Sequence, residues 1–394
     1  MSQSRGSLLS GILLVSGTSI GGGMLALPVL TSFAGFIPSL VAYFFCWLFM
    51  TSTGLLFLEI ALLMPERANI ISMSERMLGT FGKAAAWVMY LFLFYCLMVA
   101  YTVGCGDFLV DFFWKGLPPS LGPVLVVFVL SPLLYAGTRF ISRVNNVLMM
   151  VLCVSFVGFI FLGLPAIDSN LLLRRDWSLM FMALPIAFTS FAYQGIVPTL
   201  VTYMDRDIDK IRKSIVLGSF FTLLVYFVWQ AVIQGVVPLD GPHGLANALA
   251  NGDNAITPLQ HFTDAPVISE LGGLFAFTAL VTSFFGVALG LMDFFADAFG
   301  IEKTPFGKLL LCALCFIPPM LIAYTYPYLF LSALEVAGGY GCALLLGVLP
   351  IAMVWSARYR LNLQSAYTFP GGKPALIFLL AIVITELVFL LKGV

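Results

Sequence analysis

Charged side chains are scarce in this sequence. Asp, Glu, Lys and Arg make up 10% of its 394 residues, against about a quarter in an ordinary soluble domain, so a water-soluble fold is excluded. The Lys and Arg residues balance the Asp and Glu residues at zero net charge, and no basic run forms a nucleic-acid footprint. There are only two histidines, His243 and His261, both in one loop. The seven cysteines are odd in number and lie in apolar runs, which argues against a disulfide framework. Cys312 and Cys315 have CxxC spacing, but inside an apolar helix they read as small packing residues. Long polar stretches are missing too, so a soluble catalytic domain has no place to fit.

What is present is hydrocarbon: 61% of the residues are apolar and the mean hydropathy is +1.04. A helix crossing a bilayer takes about 20 residues. Apolar runs between polar or Pro/Gly breaks predict spans at 7–31, 35–64, 84–113, 120–137, 145–165, 177–204, 214–237, 269–297, 306–325, 328–357 and 374–391. Ile70 to Phe81 reads as an amphipathic helix lying at the interface. Gly6 to Val29 lacks a small-residue cleavage site and reads as a retained first span. With the N-terminus inside, fifteen of the nineteen Lys and Arg residues fall in inner connections, and Lys115, Arg174, Arg175 and Lys392 fall in outer ones. That bias predicts N-terminus in and C-terminus out. Apart from Lys308 at the start of its span, no Lys or Arg enters a span, whereas Glu59, Asp107, Asp293, Glu335 and Glu386 do. Acids at membrane depth are costly and are therefore functional candidates, although Glu59, Asp107 and Glu386 are close enough to span ends to reach water.

Two spans carry a polar interruption. In the first, Ser16-Gly17-Thr18-Ser19-Ile20-Gly21-Gly22-Gly23 precedes Pro28; in the sixth, Pro185 and Pro198 bracket Thr189-Ser190-Phe191-Ala192-Tyr193-Gln194-Gly195. Consecutive glycines weaken a helix by about 1 kcal/mol each, and hydroxyls offer the backbone other partners, so both helices should unwind there. Irregular backbone at membrane depth is tolerated only inside protein or along a wet cavity. An offset of five spans inverts the second copy, the signature of two inverted five-helix repeats with a binding site between the broken helices. A packing device of small residues is the alternative.

Gly17-Thr18-Ser19-Ile20-Gly21-Gly22-Gly23-Met24-Leu25-Ala26-Leu27-Pro28, Ser190-Phe191-Ala192-Tyr193-Gln194-Gly195-Ile196-Val197-Pro198 and Thr282-Ser283-Phe284-Phe285-Gly286 through Asp293 resemble the bacterial hydroxy/aromatic amino acid permeases, in their tyrosine- and tryptophan-specific branch. The resemblance runs from about Gly6 to Pro374. It implies an all-α LeuT-type membrane fold, one domain over 1–394, with repeats at 7–165 and 177–357 and an extra helix at 374–391. It also implies secondary active uptake of an amino acid across the bacterial cytoplasmic membrane, with no enzymatic activity and no cofactor.

On this reading Thr18, Ser19, Gly21, Gly22, Gly23, Tyr101, Thr189, Ser190, Phe191, Tyr193 and Gln194 bind substrate. The half-helix starting near Gly22 would hold the carboxylate through N–H groups and its positive dipole end. Carbonyls near Gly17 and Phe191 would face the ammonium, and the aromatic side chains would wall the slot. Gly17, Ile20, Ala279, Thr282 and Ser283 resemble the sodium site of the LeuT-type fold. Related aromatic permeases carry a Lys in the fifth span and a His at the place of Gln194. Here Asn145 to Gly163 holds no Lys, Arg, His, Asp or Glu, so a proton carrier must be one of the span acids, Asp293 or Glu335 first. The coupling ion is sodium or a proton. Expected partners are the amino acid and membrane lipid, with neither nucleic acid nor an obligate protein partner. A serine/threonine or aliphatic amino acid symporter is the nearest alternative. A passive channel would want a continuous polar pore face, and a membrane enzyme a catalytic or metal cluster, neither of which the sequence offers.

Overall fold

The computed structural model describes residues 6–65, 68–113, 117–262 and 266–391. Among the basic residues assigned above, Arg5, Arg67, Lys115 and Lys392 lie outside them. The chain is all helical, with α1 Leu8–Ser19, α2 Gly23–Leu30, α3 Phe36–Leu63, α4 Ile70–Phe113, α5 Gly122–Ala136, α6 Thr138–Gly163, α7 Leu184–Ser190, α8 Val197–Tyr203, α9 Ile208–Val236, α10 Leu245–Asn251, α11 Ile256–Leu259, α12 Pro266–Phe299, α13 Pro305–Thr325, α14 Phe330–Val336, α15 Leu349–Tyr359 and α16 Gly372–Leu391. Among the described residues, ten helical segments are long and apolar enough to cross a membrane, and α1 with α2, bent by 55° at their junction, make an eleventh if the pair is one span. Every predicted span has its helix.

Both predicted interruptions are real. Ile20 is extended, and helix resumes at Gly23. In the other span α7 stops at Ser190, and a 3-10 turn at Gln194–Ile196 leads into α8. The stretch from Ile70 is helical as expected, but it continues into α4 past Gly79, whose φ of 74° only glycine adopts without strain. Its buried residues Ile70, Met73 and Met77 face inward, and Ser356 of α15 donates to the Met77 carbonyl at 2.6 Å. The long connection after α9 folds into α10 and α11 and docks on the core, where the Ala255 N–H donates to the Leu25 carbonyl at 3.0 Å.

The core is one continuous apolar cluster in which small residues set the closest approaches. Gly106 of α4 and Gly122 of α5 meet backbone to backbone, so that a Cβ on Gly106 would lie 2.7 Å from the Gly122 carbonyl carbon. Gly338 is pressed in the same way against the Pro185 carbonyl of α7. Gly338 belongs to a π-helical segment, Ala337–Val348, that joins α14 to α15. Such wide turns are rare and weakly bonded, and their presence in the middle of a span marks a place where the helix can readjust.

The ends of α3, α8, α9 and α15 meet at one face of the bundle, and the basic residues gather there. Arg206 donates to the Leu62 and Met64 carbonyls, satisfying the open C-terminus of α3. Arg358 makes a bidentate pair with Glu59, whose Oε2 also accepts from the Phe369 N–H at 2.8 Å. Arg358 further donates to the Phe369 carbonyl, and Ser365 to the Glu59 carbonyl, both at 2.9 Å. The connection from α15 to α16 is thereby tied to α3. Burial lifts the Tyr367 phenol above its ordinary range, opposed by Arg212 over its ring at 5.0 Å.

Candidate functional site

The two interruptions lie side by side, and the contact between them is made by a residue the sequence pattern did not single out. Tyr226 of α9 is fully buried, with its hydroxyl 2.7 Å from the Ser19 carbonyl and 2.7 Å from the Ser190 carbonyl. These are the last carbonyls of α1 and α7, left without intrahelical partners because each helix stops there. A phenol carries one proton, so it donates to one carbonyl at a time while the other keeps an uncommitted lone pair. Two negative dipole ends therefore converge on one point, an arrangement that suits a cation such as an ammonium group.

Helix α9 supplies more than Tyr226. Pro28 has no N–H to give the Met24 carbonyl, and the Trp229 indole N–H takes its place at 2.9 Å. Gln230 links Tyr43 and Thr31, both at 2.8 Å, and Gln234 donates to the Pro28 carbonyl at 3.3 Å. The polar face Tyr226, Trp229, Gln230 and Gln234 thus follows α2 and holds the broken span in its bent shape. Its i, i+3, i+4, i+8 spacing in an apolar span was the signal available in the sequence.

Also at the first break, the Gly22 N–H donates to Ser283 Oγ at 3.0 Å, and the Tyr101 side chain lies beside Ser283 and Gly22. Gly21 faces Ser283 so closely that a Cβ would strike its hydroxyl, and a Cβ on Gly22 would lie 2.6 Å from the Tyr101 ring. Gly23 faces Ser190, whose own hydroxyl donates to the Ile186 carbonyl at 2.8 Å. Tyr101, Gly21, Gly22, Gly23, Ser283, Ser190 and Ser19 therefore belong to one locus. Phe191 joins it by packing its ring 5.1 Å from that of Tyr226.

Other predicted residues lie elsewhere. Gln194 is fully buried but turns to α3, accepting from the Tyr193 N–H at 2.9 Å and donating to the Met50 carbonyl at 3.0 Å and Thr53 at 3.2 Å. Tyr193 reaches the same carbonyl at 3.4 Å. Both tie the second break to α3. Thr189 donates to the Leu334 carbonyl at 2.8 Å, toward the π-helical segment. Thr18 is exposed and bonds within α1 to the Leu14 carbonyl at 2.7 Å. Thr282 bonds within α12 to the buried Ala279, at 3.1 Å; Gly17 and Ile20 flank the first break, partly buried. Asp293 is 64% exposed and paired with Lys303, ten residues on. Glu335 and Asp107 are partly buried.

The broken pair of helices, bridged at their C-termini and anchored by α9 and α12, is the architecture that the matching family profile spans. The profile of the "Tryptophan/tyrosine permease family" matches residues 4–390. The chain belongs to this family. The permease is 32% identical over 389 residues to "Tyrosine-specific transport system 1" of Haemophilus influenzae, covering 97% of this chain and 96% of that one. It is 28% identical to the "Tryptophan-specific transport protein" of the same organism, covering 94% and 92% of the two chains. The "Low affinity tryptophan permease" of Escherichia coli K12 is also 28% identical, with 97% and 95% covered. The permease is a multi-pass membrane transporter and not an enzyme.

Removing the bridging hydroxyl tests the geometry of the locus. In Tyr226→Phe the Ser19 and Ser190 carbonyls lose the one proton they share, and a buried carbonyl left without its donor costs about 1–3 kcal/mol. The expected result is a lower thermal midpoint in detergent together with reduced transport. A variant with unchanged midpoint and unchanged uptake would mean that the bridge is dispensable.

Proposed function

We propose that the permease imports an aromatic L-amino acid, tyrosine first and tryptophan or phenylalanine next, by ion-coupled symport with alternating access. The observation that carries this reading is the convergence of the α1 and α7 C-termini on Tyr226, opposite the glycine turn of α2. A zwitterion needs both poles, and this locus has them: helix-terminal carbonyls for the ammonium, and for the carboxylate the positive end of α2, where Ser283 holds the Gly22 N–H in the present arrangement. Phe191, Tyr226 and Tyr101 form its aromatic walls. The relatives' names, which specify tyrosine or tryptophan, support the substrate class.

The reading includes two inverted five-helix repeats, 7–165 and 177–357, and an additional helix at 374–391. It also includes an orientation with the N-terminus and the basic end of the bundle in the cytoplasm, following the excess of Lys and Arg there. Of the two coupling ions, the sodium reading requires Ser283 to turn from the Gly22 N–H toward the ion, whereas Thr282, which donates to the Ala279 carbonyl, keeps its lone pairs free. The proton reading requires only an acid that can be reached in one state and not in another. We therefore favour the proton.

Uptake of labelled tyrosine into proteoliposomes, with sodium and proton gradients imposed separately, tests the function. Competition by unlabelled tyrosine, tryptophan and phenylalanine should exceed that by serine or leucine by about tenfold, the discrimination expected when an aromatic side chain fills an apolar slot. Better displacement by serine or leucine would overturn the aromatic reading in favour of a hydroxy or aliphatic substrate.

A further inference from the structure

Glu386 is the anomaly of this molecule. Its side chain is 1% exposed, and among the described residues neither carboxyl oxygen has a hydrogen-bond partner. Buried polar groups are nearly always bonded, and each exception asks for an explanation. The residue sits in α16, whose neighbours Val383 and Leu390 pack against Gly347 and Gly339 of the π-helical segment. The carboxyl is therefore enclosed between α16, that segment and α3.

The titratable groups facing Glu386 are the thiols of Cys46 in α3 and Cys342 in the π-helical segment. Glu335 lies in α14, just before the segment. The cations of the packed elements are at the far end: Lys373 is in the first turn of α16, about 20 Å along its axis, and Arg358 is engaged by Glu59. The 3-10 stretch Trp177–Ala183 touches α16 through stacked Phe181 and Phe389, and its neighbouring Asp176 is exposed. Among the described residues, no cation balances the carboxyl. An ionised, unbonded carboxylate in such a place is far costlier than the neutral acid.

Glu386 is also mechanically connected to the second break. Cys342 lies within hydrogen-bonding reach of Thr189, the penultimate residue of α7, and Gly338 presses on the Pro185 carbonyl of the same short helix. Any movement of α7 must displace the π-helical segment, and with it the enclosure of the carboxyl.

We propose that Glu386 is the proton-binding group of the transport cycle, holding its proton in the arrangement described here and releasing it when α7 and the π-helical segment move and admit water. The step is a simple proton transfer. The carboxylic O–H bond breaks, the proton passes to water, and one negative charge stays on the carboxylate until the site is reprotonated from the other side. The proposal rests on the symport reading and names the residue through which it runs.

The test uses the full-length permease in proteoliposomes, with labelled tyrosine and an internal pH dye. Glu386→Gln keeps the shape and cannot titrate. Its exchange of internal for external tyrosine should stay within about twofold of wild type, while uptake concentrated by a proton gradient should fall by about tenfold or more, with no internal acidification accompanying tyrosine entry. Glu386→Asp should retain proton-driven uptake with a displaced pH profile. Infrared difference spectra of the wild-type protein should show a carboxylic acid band that responds to tyrosine, a readout that does not depend on any variant folding. Proton-driven uptake at wild-type level in Glu386→Gln would overturn the proposal, as would tyrosine entry into wild-type vesicles without proton movement, or the lack of the infrared band. Failure of the wild-type protein to exchange any aromatic amino acid would instead overturn the substrate reading.

Discussion

Leucine in place of Gly22 is expected to abolish substrate binding while the protein still inserts in the membrane. Even a Cβ at this position comes within 2.6 Å of the Tyr101 ring and 3.1 Å of Leu280. An isobutyl group must displace one or both, and it also occupies the approach to the first N–H groups of α2. Overpacking of this kind costs about 1–3 kcal/mol, and carried by the binding-competent state it weakens binding by about 5- to 150-fold; loss of the carboxylate's access adds to it. Gly22→Ala should show a smaller version of the same defect, since the Tyr101 ring edge has some freedom to yield. A scintillation proximity assay with labelled tyrosine, alongside membrane abundance, measures both effects. Wild-type affinity in Gly22→Leu would mean that the break serves packing and that substrate binds elsewhere.

The largest loss of stability is expected at the other end of the bundle, from Arg358→Met. Glu59 is 2% exposed and Arg358 11%, so removing the guanidinium leaves a buried carboxylate with only the Phe369 N–H to hold it. Breaking one partner of a buried ion pair costs about 3–5 kcal/mol, because the remaining charge keeps its desolvation penalty. The thermal midpoint in detergent should fall by many degrees, and the connection between α15 and α16 should become open to proteolysis. In the double variant Glu59→Leu with Arg358→Met no charge is stranded, so part of the stability should return. A double variant no more stable than the single one would locate the loss in the Phe369 and Ser365 contacts.

The comparison of these two sites shows what a sequence makes visible. The three glycines and two hydroxyls before Pro28 announce a broken helix because their effect is local: poor helix propensity and competing hydrogen bonds act on their own turn. Gln194 and Tyr193 looked like site residues by the same reasoning, yet they face α3. Which way a side chain points from an irregular turn depends on the helix that packs beside it, and no local rule supplies that. Asp293 shows the same limit in its charge. Its sequence position lay inside an apolar run, but Lys303 comes back to meet it after α12 ends. Tyr226 belongs to a polar face with Trp229, Gln230 and Gln234 that the sequence spacing marks, but the two carbonyls it bridges belong to other helices, and only packing brings them together.

The sequence by itself determined the class of the molecule, the places of its long apolar helices, the two interruptions and the family likeness. Each of these follows from the composition of short segments, since a bilayer forces every apolar run of sufficient length to satisfy its backbone within itself. Only the tertiary structure decided that the two interruptions meet at one hydroxyl of α9, that Ser283 and Tyr101 close on Gly22, that Glu59 is neutralised by Arg358, and that Glu386 is enclosed without a partner. Those are relations between residues as many as 300 positions apart in the chain. They are set by how small residues such as Gly21, Gly338 and Gly106 let particular helices approach, and that choice is made by the packing of the whole bundle at once.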